Sequence, residues 1–74
     1  MIEIIGTLLE VIIGTALVLS TAEGRRKIPY TQNTEIDVSY KGEPLTLEEL
    51  IRKRVKIIQW EDGTRIEIRH PKDE

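Results

Sequence analysis

The chain has 74 residues, one domain near the lower size limit for unaided folding, so most of its apolar residues must serve the core. Eleven basic residues against thirteen acidic ones leave a net charge of -2, which excludes a strongly basic binder held by phosphate neutralisation alone. With no cysteine and one histidine, His70, the chain has no disulfide framework, no thiolate zinc site, no cysteine nucleophile and no multi-histidine metal centre. Twelve isoleucines and ten glutamates, against one methionine and one asparagine, match the composition of thermophile proteins and predict a thermostable domain.

Residues Ile2 to Ala22 form a mostly apolar run, followed by Arg25, Arg26 and Lys27. About 20 apolar residues span a bilayer, and a basic cluster after them fits the positive-inside rule. One reading is therefore a small protein anchored by an N-terminal membrane helix. Glu3 and Glu10 oppose it, since a charge near a helix centre costs about 2.5–3.5 kcal/mol on the insertion scale. The density of β-branched residues (Ile2, Ile4, Ile5, Thr7, Val11, Ile12, Ile13, Thr15, Val18) favours strands. Two strands are the expectation. Glu3 stands where the positive start of a signal peptide would be, so a cytoplasmic location is expected.

In chain order, the first strand is expected over Glu3 to Val11, with Gly6 as a bulge or bend. Ile12-Ile13-Gly14 makes a turn whose tip is apolar where polar residues are usual. The second strand runs from Thr15 to Thr21, with Leu17 and Leu19 on one face. Ala22-Glu23-Gly24 turns into a third strand, Arg25 to Tyr30, which Pro29 marks as an edge because it lacks a ladder donor. Glu35 to Tyr40 alternates Ile36, Val38 and Tyr40 against Glu35, Asp37 and Ser39, a half-buried strand.

Lys41-Gly42-Glu43-Pro44 is a turn, and Thr46 with Glu49 forms a capping-box pattern opening a helix over about Leu47 to Lys53. Acids at its start (Glu48, Glu49) and bases at its end (Arg52, Lys53, Arg54) match the helix dipole. A hairpin closes the chain: Val55 to Trp60, the turn Glu61-Asp62-Gly63, and Thr64 to Arg69. Residues 1–70 form one domain and 71–74 a solvated tail. Five or six antiparallel strands interrupted by one short helix follow the order of an OB-like β-barrel, all-β in class, with Leu47, Leu50 and Ile51 of the helix plugging one end. An SH3-like barrel is the nearest rival and usually lacks the helix.

The segments Gly6-Thr7-Leu8-Leu9-Glu10-Val11, Thr15 to Val18, Thr21-Ala22-Glu23-Gly24, Asn33-Thr34-Glu35-Ile36, Gly42-Glu43-Pro44 and Leu47-Glu48-Glu49-Leu50 resemble a bacterial family of small OB-like barrel domains of unknown function. The resemblance covers about Gly6 to Ile58 and consists of turn punctuation rather than chemistry. Arg52-Lys53-Arg54 departs from the family's Pro-Gly-Asp before Val55, and Ile12-Ile13 from its polar tip. The opening from Ile2 to Glu10 is also similar to translation initiation factor one, a single OB domain, and that similarity fades after Gly24. Neither family implies a catalytic residue or a cofactor.

Two surfaces stand out. Charge is segregated, with +3 over Arg25 to Lys27, +4 from Arg52, Lys53, Arg54 and Lys56, and -4 over residues 28–51. OB barrels bind oligonucleotides across strands two and three. Arg25, Arg26, Lys27, Tyr30, Tyr40, Arg54 and Lys56 are thus candidates for single-stranded nucleic acid, with aromatic stacking. The plainer account is edge protection on the third strand and dipole complement at the helix end. The other surface is apolar. Val55, Ile57 and Gln59 alternate with Lys56, Ile58 and Trp60, so either face exposes something apolar, and Ile12, Ile13 and Val18 are poorly placed for a small core. Ile12, Ile13, Val18, Ile58 and Trp60 are therefore candidates for a protein or homo-oligomer interface. The hydroxyls lack a base relay and the carboxylate pairs sit in a helix start and a turn, so no enzymatic role, small-molecule substrate or metal is expected.

Overall fold

The computed structural model describes residues 1–43 and 45–72. Pro44 in the expected turn, and residues 73 and 74 of the expected tail, lie outside them. The chain forms six strands: β1 (Ile2–Ile12), β2 (Ala16–Thr21), β3 (Gly24–Pro29), β4 (Glu35–Ser39), β5 (Arg54–Gln59) and β6 (Arg65–Arg69). The apolar N-terminal run is thus a hairpin of two strands, and among the described residues no helix is long and apolar enough to cross a membrane.

The strands make one sheet in the order β3-β2-β1-β5-β6-β4. The domain is all-β as expected, but the sheet is mixed and not closed into a barrel. All neighbours are antiparallel except β4 and β6, which run parallel. A parallel pair needs a long crossover, and residues 40–64, carrying β5, supply it. The two edge strands, β3 and β4, are successive in the chain and joined by residues 30–34.

β1 holds the sheet together because it pairs twice. From Ile2 to Thr7 it lies against β5, and from Thr7 to Ile12 against β2. The handover is a β-bulge: Leu8 faces Leu19 and Glu10 faces Val18, so Leu9 is an extra residue. At that point the Leu8 amide donates to the Lys53 carbonyl (3.1 Å) and the Arg52 amide donates to the Leu8 carbonyl (2.6 Å). The bulge is therefore at Leu9 rather than at Gly6, where it was expected. Gly6 serves a different need. A Cβ there would lie 2.6 Å from the Ser20 carbonyl oxygen, so only glycine allows β1 and β2 to approach so closely.

The expected helix over Leu47 to Lys53 contracts to a single 3-10 turn, Glu48–Leu50. Half of the capping box forms, with Glu49 Oε1 accepting from the Thr46 amide (3.3 Å) and hydroxyl (3.0 Å). The helix stops because Arg52 takes a positive φ of 74° and the chain turns back to pair with Leu8. For a non-glycine residue that conformation costs roughly 1–2 kcal/mol, which the two bonds to Leu8 offset. Arg52, Lys53 and Arg54 are consequently not helix-end bases, and the dipole explanation for them does not hold.

The core is the inward face of the sheet. Ile4 and Leu8 of β1, Leu17 and Leu19 of β2, Ile28 of β3, Val55 and Ile57 of β5, and Ile66 and Ile68 of β6 are buried together. Leu50 of the 3-10 turn is fully buried among them, with Leu47 and Ile51 packed alongside. Ile36 and Val38 of β4 complete it from the edge. Gly6→Ala should therefore lower stability by about 1–3 kcal/mol, measured as a shifted urea midpoint. An unchanged midpoint would contradict the close approach at Ser20.

Candidate functional site

The β1–β2 tip is built on Gly14. Its φ of 71° closes the turn in which the Thr15 amide donates to the Ile12 carbonyl (2.9 Å), a third-position requirement that glycine meets. The Gly14 amide donates to the Tyr30 hydroxyl (3.0 Å), so the linker between β3 and β4 braces the tip. At its other end the linker reaches the β5–β6 turn, where the Glu35 amide donates to the Thr64 carbonyl (2.9 Å). Ile13 stands out from this braced tip, 81% exposed, while Ile12 is half-buried.

Ile58 lies on the outward face of β5, and Trp60 directly follows that strand. Ile58 is buried, because register places Glu3 of β1 on one side of it and Glu67 of β6 on the other. Val18 on β2 is buried in the same manner between Glu10 and Lys27. The stems of such long charged side chains cover apolar neighbours. Val18 and Ile58 accordingly offer no interface surface, contrary to expectation. Trp60 is half-buried, with the Arg65 guanidinium 5.4 Å from its ring centroid.

Arg65 belongs to an ion-pair chain across β4 and β6. Its Nη2 lies 3.2 Å from Asp37 Oδ2 and 3.2 Å from Glu67 Oε1, and Arg69 Nη2 lies 2.8 Å from Glu67 Oε2. Glu67, at 8% exposure, is the buried charged residue of the sheet and is held by two guanidinium groups. In the adjoining turn Asp62 accepts from the Thr64 amide (3.0 Å) and hydroxyl (2.8 Å), which holds its carboxyl below the usual carboxylate range. A depressed folded-state value means that this contribution is present above the ordinary aspartate range and is lost as pH falls through the folded value.

The first half of β1 has a neighbour on one side only, since its β2 pairing begins at Thr7. A depression opens there, lined by Glu3, Ile4, Ile5, Thr21, Ala22, Glu23 and Arg26. Ile5 is 45% and Ile2 49% exposed beside it. The sequence pattern misses these two, because their exposure follows from where β2 ends rather than from alternation.

The basic and aromatic candidates do not converge. Arg25 and Lys27 point outward, opposite Ser20 and Val18, whereas Arg26 pairs with Leu19 on the inward face. The half-buried Tyr30 uses its hydroxyl at the tip. Tyr40 packs edge-on to His70 (5.0 Å between centroids), with Lys53 Nζ 5.5 Å from its ring. All three aromatics are half-buried and each is engaged in a contact away from the basic residues of β3. Arg54 is exposed on β5, and Lys56 is half-buried on the same outward face. Among the described residues no group of three His, Asp or Glu side chains could hold a metal ion.

Replacing Glu67 by alanine should leave Arg65 and Arg69 without their shared partner and cost about 1–2 kcal/mol, allowing for the partial exposure of both arginines. Trp60 fluorescence should report it, because Arg65 touches both residues. A variant with unchanged stability and an unchanged emission spectrum would contradict the coupling. Comparison with family models, curated proteins and solved structures finds no match for this chain.

Proposed function

We propose that the chain is a small OB-like barrel acting as a non-enzymatic binding or assembly module, which contacts protein through apolar surface along β1 and at its tip. One observation carries this reading. The large apolar side chains left exposed among the described residues, Met1, Ile2, Ile5 and Ile13, all lie on β1 or immediately flank it. Elsewhere outward-facing aliphatics are covered by charged neighbours, as Val18 and Ile58 are. Exposed apolar surface of this kind marks contact sites in proteins that otherwise cover it.

The barrel assignment draws support from β1 shared between β2 and β5, from the 3-10 turn preceding the last hairpin, and from the sequential edge strands β3 and β4. OB barrels are themselves partly open. The turn punctuation shared with the bacterial small-barrel family points the same way. A braced tip lowers the entropy lost on contact, since the Gly14–Tyr30 bond already fixes the turn.

The first partner to test is a second copy. Light scattering over a concentration series should show association, and Ile13→Asp with Ile5→Asp should weaken it at least about tenfold. Both positions are exposed, so the unfolding midpoint should move by no more than about 0.5 kcal/mol. A strict monomer at high concentration, indistinguishable from the double variant, would contradict self-association.

A further inference from the structure

Sheet register produces a feature absent from the linear sequence. Thr7 pairs with Ser20 on one side and Arg54 on the other, and Ser20 pairs with Arg25. Residues directly opposite one another point to the same face, so Arg25, Ser20, Thr7 and Arg54 form one outward row across four strands. At three strand spacings the two arginines stand about 14 Å apart along the sheet. One row to either side, register adds Lys27, Val18 and Glu10, and then Ile5, Lys56, Arg69 and Ser39. Glu10 is the one acid in those two rows.

The usual structural reasons for such cations do not account for the row. Edge protection explains Arg25 and Lys27 on β3, but Arg54 stands on β5, an interior strand between β1 and β6. The dipole explanation fails because the 3-10 turn ends at Leu50. Arg25 and Arg54 make no ion pair with any described residue, although the chain holds thirteen acids. Two planar guanidinium forks with two hydroxyls between them are donors suited to phosphate oxygens.

We propose that the row Arg25–Ser20–Thr7–Arg54 is a track for the phosphodiester backbone of single-stranded nucleic acid. This goes beyond the protein contact proposed above; Ile5 stands in the adjoining row, and because the two readings use different residues, Ile13→Asp tests the contact alone and Arg25→Gln/Arg54→Gln the track alone. An extended strand fits better than an anionic membrane. The one strongly exposed apolar tip residue, Ile13, follows β1 at the far end of β2 from Ser20, about 17 Å along the strand. Seating it in a bilayer would leave the row away from the headgroups. Recognition is of backbone and not of bases, because Tyr30, Tyr40 and Trp60 are engaged elsewhere.

Fluorescence anisotropy with labelled single-stranded homopolymer oligonucleotides tests it. Binding should be weak, similar for different bases, and salt-dependent with a log-log slope of about -1.4, from two phosphates at about -0.7 each. The double variant Arg25→Gln/Arg54→Gln should lose affinity at least about tenfold at low salt and flatten that slope. Arg26→Gln removes a neighbouring charge from the inward face and should leave affinity within about twofold. Trp60 emission should not change on binding. The proposal fails if no binding occurs at low salt, or if Arg26→Gln weakens binding as much as Arg25→Gln. It fails equally if polyglutamate or anionic vesicles bind as tightly as the oligonucleotide.

Discussion

The structure depends on how β1 changes partner at Leu9. A strand of eleven residues that paired with one neighbour throughout would yield a two-stranded ribbon with little enclosed volume. By giving its first half to β5 and its second half to β2, β1 joins the β1–β2–β3 meander to the β5–β6 hairpin and its parallel partner β4 in one six-stranded sheet. The extra residue at the bulge supplies the bend, and the Leu8 amide and carbonyl are taken up by Lys53 and Arg52 where the ladder would otherwise break. The same event explains the truncated helix, because Arg52 cannot continue a helix and also bond to Leu8. It explains the open half of β1 as well, where Ile2 and Ile5 pair with β5 and lack a neighbour on the β2 side.

A domain of this size has few ways to keep the outer face of a sheet wet. Here aliphatic residues on that face stand between charged neighbours: Val18 between Glu10 and Lys27, Ile58 between Glu3 and Glu67. The arrangement hides apolar area without a second layer of structure. It also sorts the charges. Arg65, Arg69, Asp37 and Glu67 neutralise one another over β4 and β6, while Arg25 on β3 and Arg54 on β5 make no ion pair with a described residue. The net charge of -2 conceals a neutralised cluster on β4 and β6 and two arginines without an acidic partner on β3 and β5.

Much of the strand order was legible in the sequence. The alternation of Ile36 and Val38 with Glu35 and Asp37, the Asp62-Gly63 turn and the Gly14 turn each specify local backbone, and the observed strand limits lie within one residue or so of those expected. What was not legible depends on residues distant in the chain. Gly6 reads as a bend, and its real constraint is the Ser20 carbonyl. Thr46 and Glu49 announce a helix, and pairing to Leu8 cuts it short. Val18 and Ile58 read as exposed apolar surface until register supplies their charged neighbours. Arg25 and Arg54 read as members of two separate basic clusters, and only register places them in one row across four strands. The parallel pairing of β4 with β6 is likewise invisible to local pattern, since the crossover between them carries its own strand.

The central claim is that β1 is an interior strand paired on both sides at its bulge. Residue-resolved amide hydrogen exchange tests it most directly. The Leu8 and Arg52 amides should exchange only through global unfolding, alongside the core amides of β5, whereas the outward-pointing edge amides of Arg25 and Lys27 should exchange far faster. Exchange at Leu8 and Arg52 as fast as at Arg25 and Lys27 would contradict the account.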